Sequence, residues 1–355
     1  MHMKSALKLA VLGCALLSSA HPGHHEPLDG PDVQLYKRNV QSGLQKCSTE
    51  YQNTGLQARV ESRRKAMIAL HRRHLRIRDT DAVLNKSHQA THSMSPSMSE
   101  KEIFNSPEKV CLLGPSPEGE TGPYWLPGER AGVPVVIQQQ YIDVETCKPV
   151  PDLYAEIWGC NATGVYSGLV ADGNGNSADQ SNHNRTFLRG IQKTDSDGVV
   201  TFDTLFPGHY ASRTTHYHNI AHFHAKRLPN NTVAGGKVSH VGQIFWDQDI
   251  IGAVESTYPY NTNSIPITPN AEDRVVNVET ENSEADPMLN YAYLSNSVED
   301  GLFAWITVAV NLSAVHYPYY TNVYTENGGM AVDGTSDGSP REIDGGLPQA
   351  SSVPS

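Results

Sequence analysis

The spacing of hydrophobic positions divides the chain into a helical part and a strand-like part. Residues 40–77 contain no proline, and from Leu56 onward the apolar positions are spaced like one face of an amphipathic helix. This pattern predicts one or two helices in a region, residues 39–107, that ends in a polar linker rich in Ser, Met and His. We interpret the basic positions of this region, which include Arg63 and Arg64, as a solvent-exposed helix face.

From about residue 108, short β-branched and aromatic runs alternate with Gly, Pro, Asn and Asp, as is typical of strands separated by turns. Because no long helix intervenes, the runs predict a mainly β fold, an antiparallel β-sandwich over residues 108–325. The Gly, Ser, Asp and Pro of residues 326–355 predict a disordered tail. The predicted strands are residues 133–144, 153–158, 199–205, 210–226, 238–247 and 302–312.

The first twenty residues have the features of a secretory signal peptide. Lys4 and Lys8 precede a short apolar run, and small residues lead to Ala20, after which we expect cleavage. The apolar run is too short to span a bilayer. Residues 21–38 are a candidate pro-segment because they end in Lys37–Arg38, although an ordinary surface pair explains these residues equally well.

The charge balance argues against two kinds of partner. The chain has 27 basic and 38 acidic side chains, and loss of Lys4 and Lys8 with the signal peptide changes the net charge from -11 to -13. An acidic chain without a basic block is a poor nucleic-acid ligand. No apolar run long enough to span a membrane follows the signal peptide. We therefore expect neither nucleic acid nor a membrane as a partner.

Cysteines and glycosylation signals predict an extracellular glycoprotein. Four cysteines follow the signal peptide, which suggests two disulfides in one of three possible connectivities. Of these we predict the pairs Cys47–Cys111 and Cys147–Cys160. Five Asn-x-Ser/Thr signals accompany them, and a secreted eukaryotic chain would carry glycans at such positions. The signals begin at Asn85, Asn161, Asn184, Asn230 and Asn311.

Tyr and His each occur 16 times, against seven Phe, and several of them cluster in residues 209–224. His216 and His218 are two residues apart in a predicted strand, so both imidazoles leave the same face and can hold a metal. His222 and His224 repeat this arrangement, and on an unbroken strand alternation does not select one pair. For any single histidine, a buried and hydrogen-bonded side chain without a metal is the simpler interpretation.

The other donors restrict the choice of metal. No free thiol is expected and carboxylates are scarce beside the histidines, which argues against thiolate sites and a two-His-one-carboxylate site. Tyr166, Tyr210 and Tyr217 are nearby, and a phenolate is a hard anionic donor that favours Fe(III). A phenol, whose ordinary pKa is about 10, ionises at neutral pH only when it binds a strong Lewis acid.

The region from Cys111 to Ile251 resembles the intradiol ring-cleavage dioxygenases, especially their secreted fungal-type branch. Each matching piece is short, but together they follow the family's order over less than half of the chain. The pieces are Gly122-Pro123-Tyr124, Thr146-Cys147-Lys148-Pro149-Val150-Pro151, Ala155-Glu156-Ile157-Trp158, Gly164-Val165-Tyr166-Ser167-Gly168, Thr194-Asp195-Ser196-Asp197-Gly198 with Phe202, Pro207-Gly208-His209-Tyr210, Arg213-Thr214-Thr215-His216-Tyr217-His218 and His240-Val241-Gly242-Gln243-Ile244-Phe245.

The resemblance implies a non-haem Fe(III) bound by two tyrosines and two histidines. Tyr166 and Tyr210 match the tyrosinate ligands. His216 and His218 match the histidine ligands because they follow the Arg-Thr-Thr of the family pattern, which leaves His222 and His224 as an alternative pair.

Three further residues gain a role from the resemblance, and one departs from it. Arg213 matches the active-site arginine, Gln243 matches a glutamine behind the ligands, and Tyr124 lines the substrate pocket or a structural turn. Tyr217 stands where the family usually has an aliphatic residue, and strand alternation points it away from the metal.

The activity implied by the resemblance is cleavage of a catechol-type ring by O₂ between its two hydroxylated carbons, which gives a muconate-type diacid. The partners would be a small catechol and O₂. The sequence leaves open which catechol is used and whether the protein is a monomer or a homodimer.

Two other functions use parts of the same pattern. The turn at residues 195–198 and the segment 207–210 also suit an extracellular transthyretin-like module that binds without catalysis, which needs neither Tyr166 nor Arg213. Cleavage after Ala20 would leave His21 at the amino terminus, where it could chelate copper, but this segment is polar and irregular. No Gly-x-Ser-x-Gly motif supports a serine hydrolase.

Overall fold

The computed structural model describes residues 31–76, 131–229, 231–280, 286–316, 318, 322–325 and 328–331. Its helices are α1 (Pro31–Lys46), α2 (Ser48–Asn53), α3 (Leu56–Arg76), α4 (Gln248–Glu255) and α5 (Arg274–Thr280). Its strands are β1 (Pro134–Asp143), β2 (Tyr154–Trp158), β3 (Arg189–Lys193), β4 (Val199–Leu205), β5 (His216–Phe223), β6 (Lys226–Arg227), β7 (Val233–Ala234), β8 (Lys237–Phe245), β9 (Asn290–Tyr293), β10 (Leu302–Val310), β11 (Asn322–Thr325) and β12 (Gly328–Ala331). No helix among these residues is both long enough and apolar enough to cross a membrane.

Two four-stranded sheets form a sandwich. One sheet has the strand order β4-β1-β10-β9 and the other has the order β3-β2-β5-β8. The predicted mainly β, antiparallel sandwich is confirmed, except that β1 and β10 pair in parallel. The long stretch of chain between these two strands allows this direction, since only short hairpin connections force antiparallel pairing.

The hydrophobic core lies between the two sheets. Ile137 of β1, Ile157 of β2 and Ile306 of β10 belong to one buried cluster, and burial of such a side chain is worth about 1.5–3 kcal/mol. A polar contact also crosses the core, because Asn219 Nδ2 of β5 donates to Tyr141 Oη of β1 at 2.8 Å. This bond helps to fix the position of β5, whose opposite face carries His216 and His218.

The amino-terminal helices cover the outer face of the β4-β1-β10-β9 sheet. Arg64 Nε of α3 donates to Gln138 Oε1 of β1 at 3.2 Å, and Arg63 forms ion pairs with Asp195 at 2.6 Å and Asp197 at 3.1 Å. The prediction of a solvent-exposed basic face is therefore wrong for these two arginines. The helical periodicity was visible in the sequence, but the acidic turn that receives Arg63 lies far along the chain.

Several boundaries differ from the prediction. The predicted strand 210–226 corresponds to β5, which begins only at His216. Tyr210 lies in an irregular segment before this strand. Strand β12 lies inside the predicted tail 326–355, and the remainder of that tail lies outside the described residues. The short, glycine-rich β12 shows no hydrophobic alternation that could have revealed it.

The disulfide prediction is wrong. Cys47 is bonded to Cys147, which excludes both predicted pairs, and Cys160 is a buried free thiol. The pairing follows from the docking of α1, whose Gly43 lies against Val144 beside the turn that carries Cys147. Burial raises the pKa of the Cys160 thiol to about 12.

The predicted signal peptide, Cys111 and most of the candidate pro-segment lie outside the described residues. Lys37 and Arg38 lie within α1, and processing at this pair stays a prediction.

Candidate metal centre

Tyr166 lies in the loop between β2 and β3, where two buried asparagines hold its backbone. The N–H group of Tyr166 donates to Asn174 Oδ1 at 2.7 Å, and its carbonyl oxygen accepts from Asn174 Nδ2 and Asn182 Nδ2 at 2.9 Å each. Both amides also donate to the carbonyl oxygen of Leu169. These side-chain amides supply the hydrogen bonds that a sheet would otherwise give, so the loop has a defined backbone.

Gly164 allows this loop to lie directly against the segment that carries Tyr210. Its φ angle is +82°, and a Cβ atom at this position would lie 2.3 Å from the carbonyl oxygen of His209. Only glycine combines this backbone conformation with so close an approach. The contact brings Tyr166 and Tyr210 together, and their ring centroids are 5.4 Å apart.

The Tyr210 segment is anchored by the side chain of His209. His209 Nδ1 lies 2.7 Å from Glu255 Oε1, and His209 Nε2 lies 2.7 Å from the carbonyl oxygen of Ile265. The carbonyl oxygen of Ile265 only accepts, so Nε2 donates to it, while Nδ1 pairs with the carboxyl group of Glu255. Burial alone would lower the pKa of His209, but the bonds to Glu255 and Ile265 raise it.

His216 and His218 begin β5 and present their Nε2 atoms to the same space. His216 Nδ1 donates to the carbonyl oxygen of Thr214 at 2.6 Å, which leaves a lone pair on Nε2. The ring of His218 stacks on Trp158 of β2 with centroids 4.6 Å apart and an interplanar angle of 5°. Both rings are thus oriented by neighbours outside the space into which Nε2 points.

The four side chains converge on one point. Tyr166 Oη is 3.1 Å from His218 Nε2 and 3.4 Å from His216 Nε2. His216 Nε2 is also 3.3 Å from Tyr210 Oη and 3.3 Å from His218 Nε2. Tyr210 and His216 are buried, whereas Tyr166 and His218 are partly exposed, so the side of these two is the more open side of the cluster.

This donor set fits a single metal ion. Donors bound at the usual 2.0–2.2 Å lie roughly 3 Å apart, which is close to the observed separations. Without a cation, the two facing Nε2 atoms would have to share a proton or bring their lone pairs together. Among the described residues, no group of three or more His, Cys, Asp or Glu side chains is placed to hold a metal, so the two phenols are needed to complete this site.

The surroundings keep both phenols protonated when no cation is bound. Burial raises the pKa of Tyr166 well above its usual range, and Tyr210 contributes in the same direction. Burial also raises the pKa of Tyr210, although nearby Arg213 opposes the shift. Ionisation at neutral pH therefore requires a strong Lewis acid, which is a reason to expect a highly charged metal.

Arg213 lies behind Tyr210 and is fully buried. Its Nη1 donates to Tyr210 Oη at 3.3 Å, its Nη2 donates to Gln243 Oε1, and its Nε donates to Asp273 Oδ2 at 2.8 Å. Burial acts to lower the pKa of Arg213, but Tyr210 and Asp273 outweigh it and raise the pKa. A permanent cation therefore touches the oxygen of one candidate ligand.

Tyr217, His222 and His224 lie away from this cluster. Tyr217 points into the core, as alternation predicted, and donates to the carbonyl oxygen of Leu205 at 2.6 Å. His222 Nε2 lies 2.8 Å from Glu156 Oε2, and His224 lies beyond the end of β5 with a φ angle of +59°. The structure thus brings His216 and His218 to the tyrosines and not the alternative pair. Tyr124 lies outside the described residues.

Sequence reasoning missed the residues that support the ligands. Asn174 and Asn182 lie in a polar loop in which any asparagine would look alike, and Glu255 ends a helix. Asp273 precedes α5, and an Asp before an apolar run is a recognisable helix-start signal. Nothing in the sequence connects it with Arg213, which lies 60 residues earlier.

Fold and candidate site together define a class, a β-sandwich in which the polar atoms of two Tyr and two His converge. A family model described as Dioxygenase matches residues 114–251. An intradiol ring-cleavage dioxygenase from Tetranychus urticae is 29% identical, with 55% of this chain and 93% of that chain covered and a TM-score of 0.43. A second dioxygenase crystal structure is 30% identical, with the same coverage and a TM-score of 0.41. Catechol 1,2-dioxygenase from Acinetobacter sp. ADP1 is 14% identical, with 81% and 94% covered and a TM-score of 0.31. No curated protein matches the chain.

The chain belongs to the intradiol ring-cleavage dioxygenase family, whose members are ring-cleaving oxidoreductases. This assignment rests on the family model and on sequence identity over nearly the whole length of the two related chains. The superpositions, with TM-scores below 0.5, do not contribute to it. Membership in the secreted fungal-type branch stays a prediction.

Proposed function

We propose that this chain is a secreted non-haem Fe(III) enzyme that uses O₂ to cleave a catechol between its two hydroxylated carbons, giving a muconate-type diacid. The observation that carries the proposal is the convergence of Tyr166, Tyr210, His216 and His218, with separations of 3.1–3.4 Å between their polar atoms. A transthyretin-like binding module would need no such convergence. Membership in the intradiol ring-cleavage dioxygenase family supports a catechol-type substrate.

Bound Fe(III) would act as a Lewis acid that ionises its phenol ligands and would make a chelated catecholate reactive toward O₂. Tyr210 is the residue best placed to take a proton from the entering catechol. Its Oη contacts Arg213 Nη1 at 3.3 Å, so a negative charge on this oxygen is stabilised before the proton arrives. Because Arg213 remains charged, it can also stabilise negative charge that develops on the substrate.

The remaining ligands provide orientation. Tyr166 is held by Asn174 and Asn182, and His218 by the ring of Trp158, so the partly exposed side of the cluster is rigid. Preorganised groups of this kind do not have to rearrange during the reaction. The substrate enters on this side, because Tyr210 and His216 are buried.

Secretion is part of the proposal and rests on other features. The signal-like residues 1–20 and the five glycosylation signals indicate export. The Cys47–Cys147 disulfide suits an oxidising compartment. Expression in a eukaryotic secretory host should therefore yield a medium-borne glycoprotein whose mature amino terminus mass spectrometry can define.

The activity is tested with the purified full chain, O₂ and a panel of catechols. We expect O₂ consumption to match the loss of catechol, and a diacid product that carries both oxygen atoms when ¹⁸O₂ is supplied. A product with one labelled oxygen, or a quinone, would contradict ring cleavage by a dioxygenase.

A matched pair of histidine variants links activity to the site. His218→Gln should abolish O₂ consumption, since Nε2 of His218 belongs to the cluster. His222→Gln changes the same residue type on the same strand, but this side chain pairs with Glu156 instead. It should retain activity, and equal loss in both variants would count against the assignment of the ligands.

A further inference from the structure

The carboxylate of Asp273 lies behind the candidate metal centre, next to Arg213. It has no solvent exposure and accepts four hydrogen bonds. A buried carboxylate is costly unless all of its bonds are made. Its full set of partners therefore shows what it holds in place.

The two carboxylate oxygens divide between two tasks. Oδ1 accepts from the backbone N–H groups of Val275 and Val276 at 2.8 and 3.0 Å, which caps the start of α5. Oδ2 accepts from Arg213 Nε at 2.8 Å and from the N–H group of Thr214 at 2.9 Å. A cap requires only the first oxygen, so the second serves the segment that leads into β5.

The bond to Arg213 determines where the guanidinium points. The group is planar and has a fixed arrangement of donors. With Nε on Asp273 and Nη2 on Gln243, Nη1 is directed at Tyr210 Oη. Asp273 thus holds the Nε edge of the guanidinium, and Gln243 holds Nη2.

We propose that Asp273 is a positioning residue for ring cleavage, which aims Arg213 at the oxygen of Tyr210. This inference rests on the proposed function. Asp273 touches neither the four candidate ligands nor the open side of the cluster, so it acts through Arg213. It also lies outside residues 114–251, the part of the chain that the family model matches.

The test begins with Asp273→Asn. This variant can keep Oδ1 on the helix N–H groups, but its Nδ2 would face the donors of Arg213 and Thr214. We expect kcat to fall about 10²-fold, as for other misplaced catalytic groups. KM should stay within about threefold, because the open side of the cluster is unchanged. In the iron-loaded protein, the visible band should also shift, since Arg213 contacts Tyr210 Oη.

Two further variants separate positioning from loss of structure. Asp273→Ser retains a helix cap without the carboxylate, so it should fold and show the same loss of kcat. Asn277→Ala changes an exposed residue of the same helix, whose Nδ2 donates to the carbonyl oxygen of Ala271 at 3.1 Å. Asn277→Ala should leave kcat within about twofold of the wild type and the visible band in place.

A double-mutant cycle gives the decisive comparison. In an Arg213→Gln background, Asp273→Ser should change kcat less than about twofold, because its effect requires Arg213. Equal losses in both backgrounds would overturn the inference. An active wild type with equally active Asp273 variants would overturn this inference alone, whereas a wild type without activity would overturn the proposed function as well.

Discussion

At the scale of single residues, the candidate site consists of four side chains and of the groups that hold them in place. Spacing brought His216 and His218 onto one face, and the family resemblance added Tyr166 and Tyr210. In the structure, the polar atom of each of these four side chains lies within hydrogen-bonding range of at least one of the other three. The groups that hold them, such as Asn174, are ordinary polar residues whose partners are decided by the three-dimensional path of the loop.

Replacement of Asn174 tests this support directly. Asn174→Ala leaves the N–H group of Tyr166 without its partner in a buried loop, so the free energy of unfolding should fall by about 1–3 kcal/mol. Iron should also be lost more readily to a chelator. Chemical denaturation and chelation rates measure the two effects. The exposed Asn176 of the same loop provides the control, and an equal effect of Asn176→Ala would contradict the assignment.

Glu279 predicts a pH-dependent stability. Burial raises its pKa to about 7, against the opposing influence of Lys37 and Arg213, whereas an unfolded Glu has a pKa of about 4.3. Between these values the folded protein keeps a proton that the unfolded chain has released. The contribution of Glu279 to stability therefore falls as the pH rises through this range and is constant above it.

Glu279→Gln should remove this loss. The Tm of the variant minus the Tm of the wild type should be larger at about pH 8 than at about pH 5. Thermal unfolding of both proteins at the two pH values measures the difference. If the variant changes Tm by the same amount at both, Glu279 is not the titrating group.

At the scale of elements, hydrophobic periodicity located the long strands and helices but not their partners. Strands β1, β2, β4 and β10 match the predicted runs within a few residues. The parallel pairing of β1 with β10 depends on the return path of the chain, which no local pattern records. For the same reason, the docking of α3 on Asp195 and Asp197 was not predicted.

The Cys47–Cys147 disulfide of the structure gives a testable prediction at the scale of elements. Peptide mapping of the non-reduced protein should find Cys47 joined to Cys147, with Cys160 as a thiol that reacts only after unfolding. Replacing both bonded cysteines by serine should lower the free energy of unfolding by about 2–5 kcal/mol, because the bond closes a long loop. Activity should persist, since the bond is remote from the four ligands. A Cys147–Cys160 peptide would contradict the structure.

At the scale of the whole molecule, the amino-terminal helices pack on their own sandwich, and the site lies on the other sheet. The surplus of Tyr and His therefore has several origins, since Tyr141 and Tyr217 are core residues and His209 is an anchor. Composition drew attention to these residue types, but only position in the fold separates ligands from structure. The acidic balance of the chain suits a soluble surface and has no part in the site.

The central claim is that Tyr166, Tyr210, His216 and His218 hold Fe(III). Metal analysis combined with a visible spectrum of the purified protein tests it most directly. We predict about one iron per chain and a tyrosinate-to-iron absorption band, which should weaken in Tyr210→Phe and be unchanged in Tyr217→Phe. A protein that takes up no iron, or an iron-loaded protein with no such band, would contradict the claim.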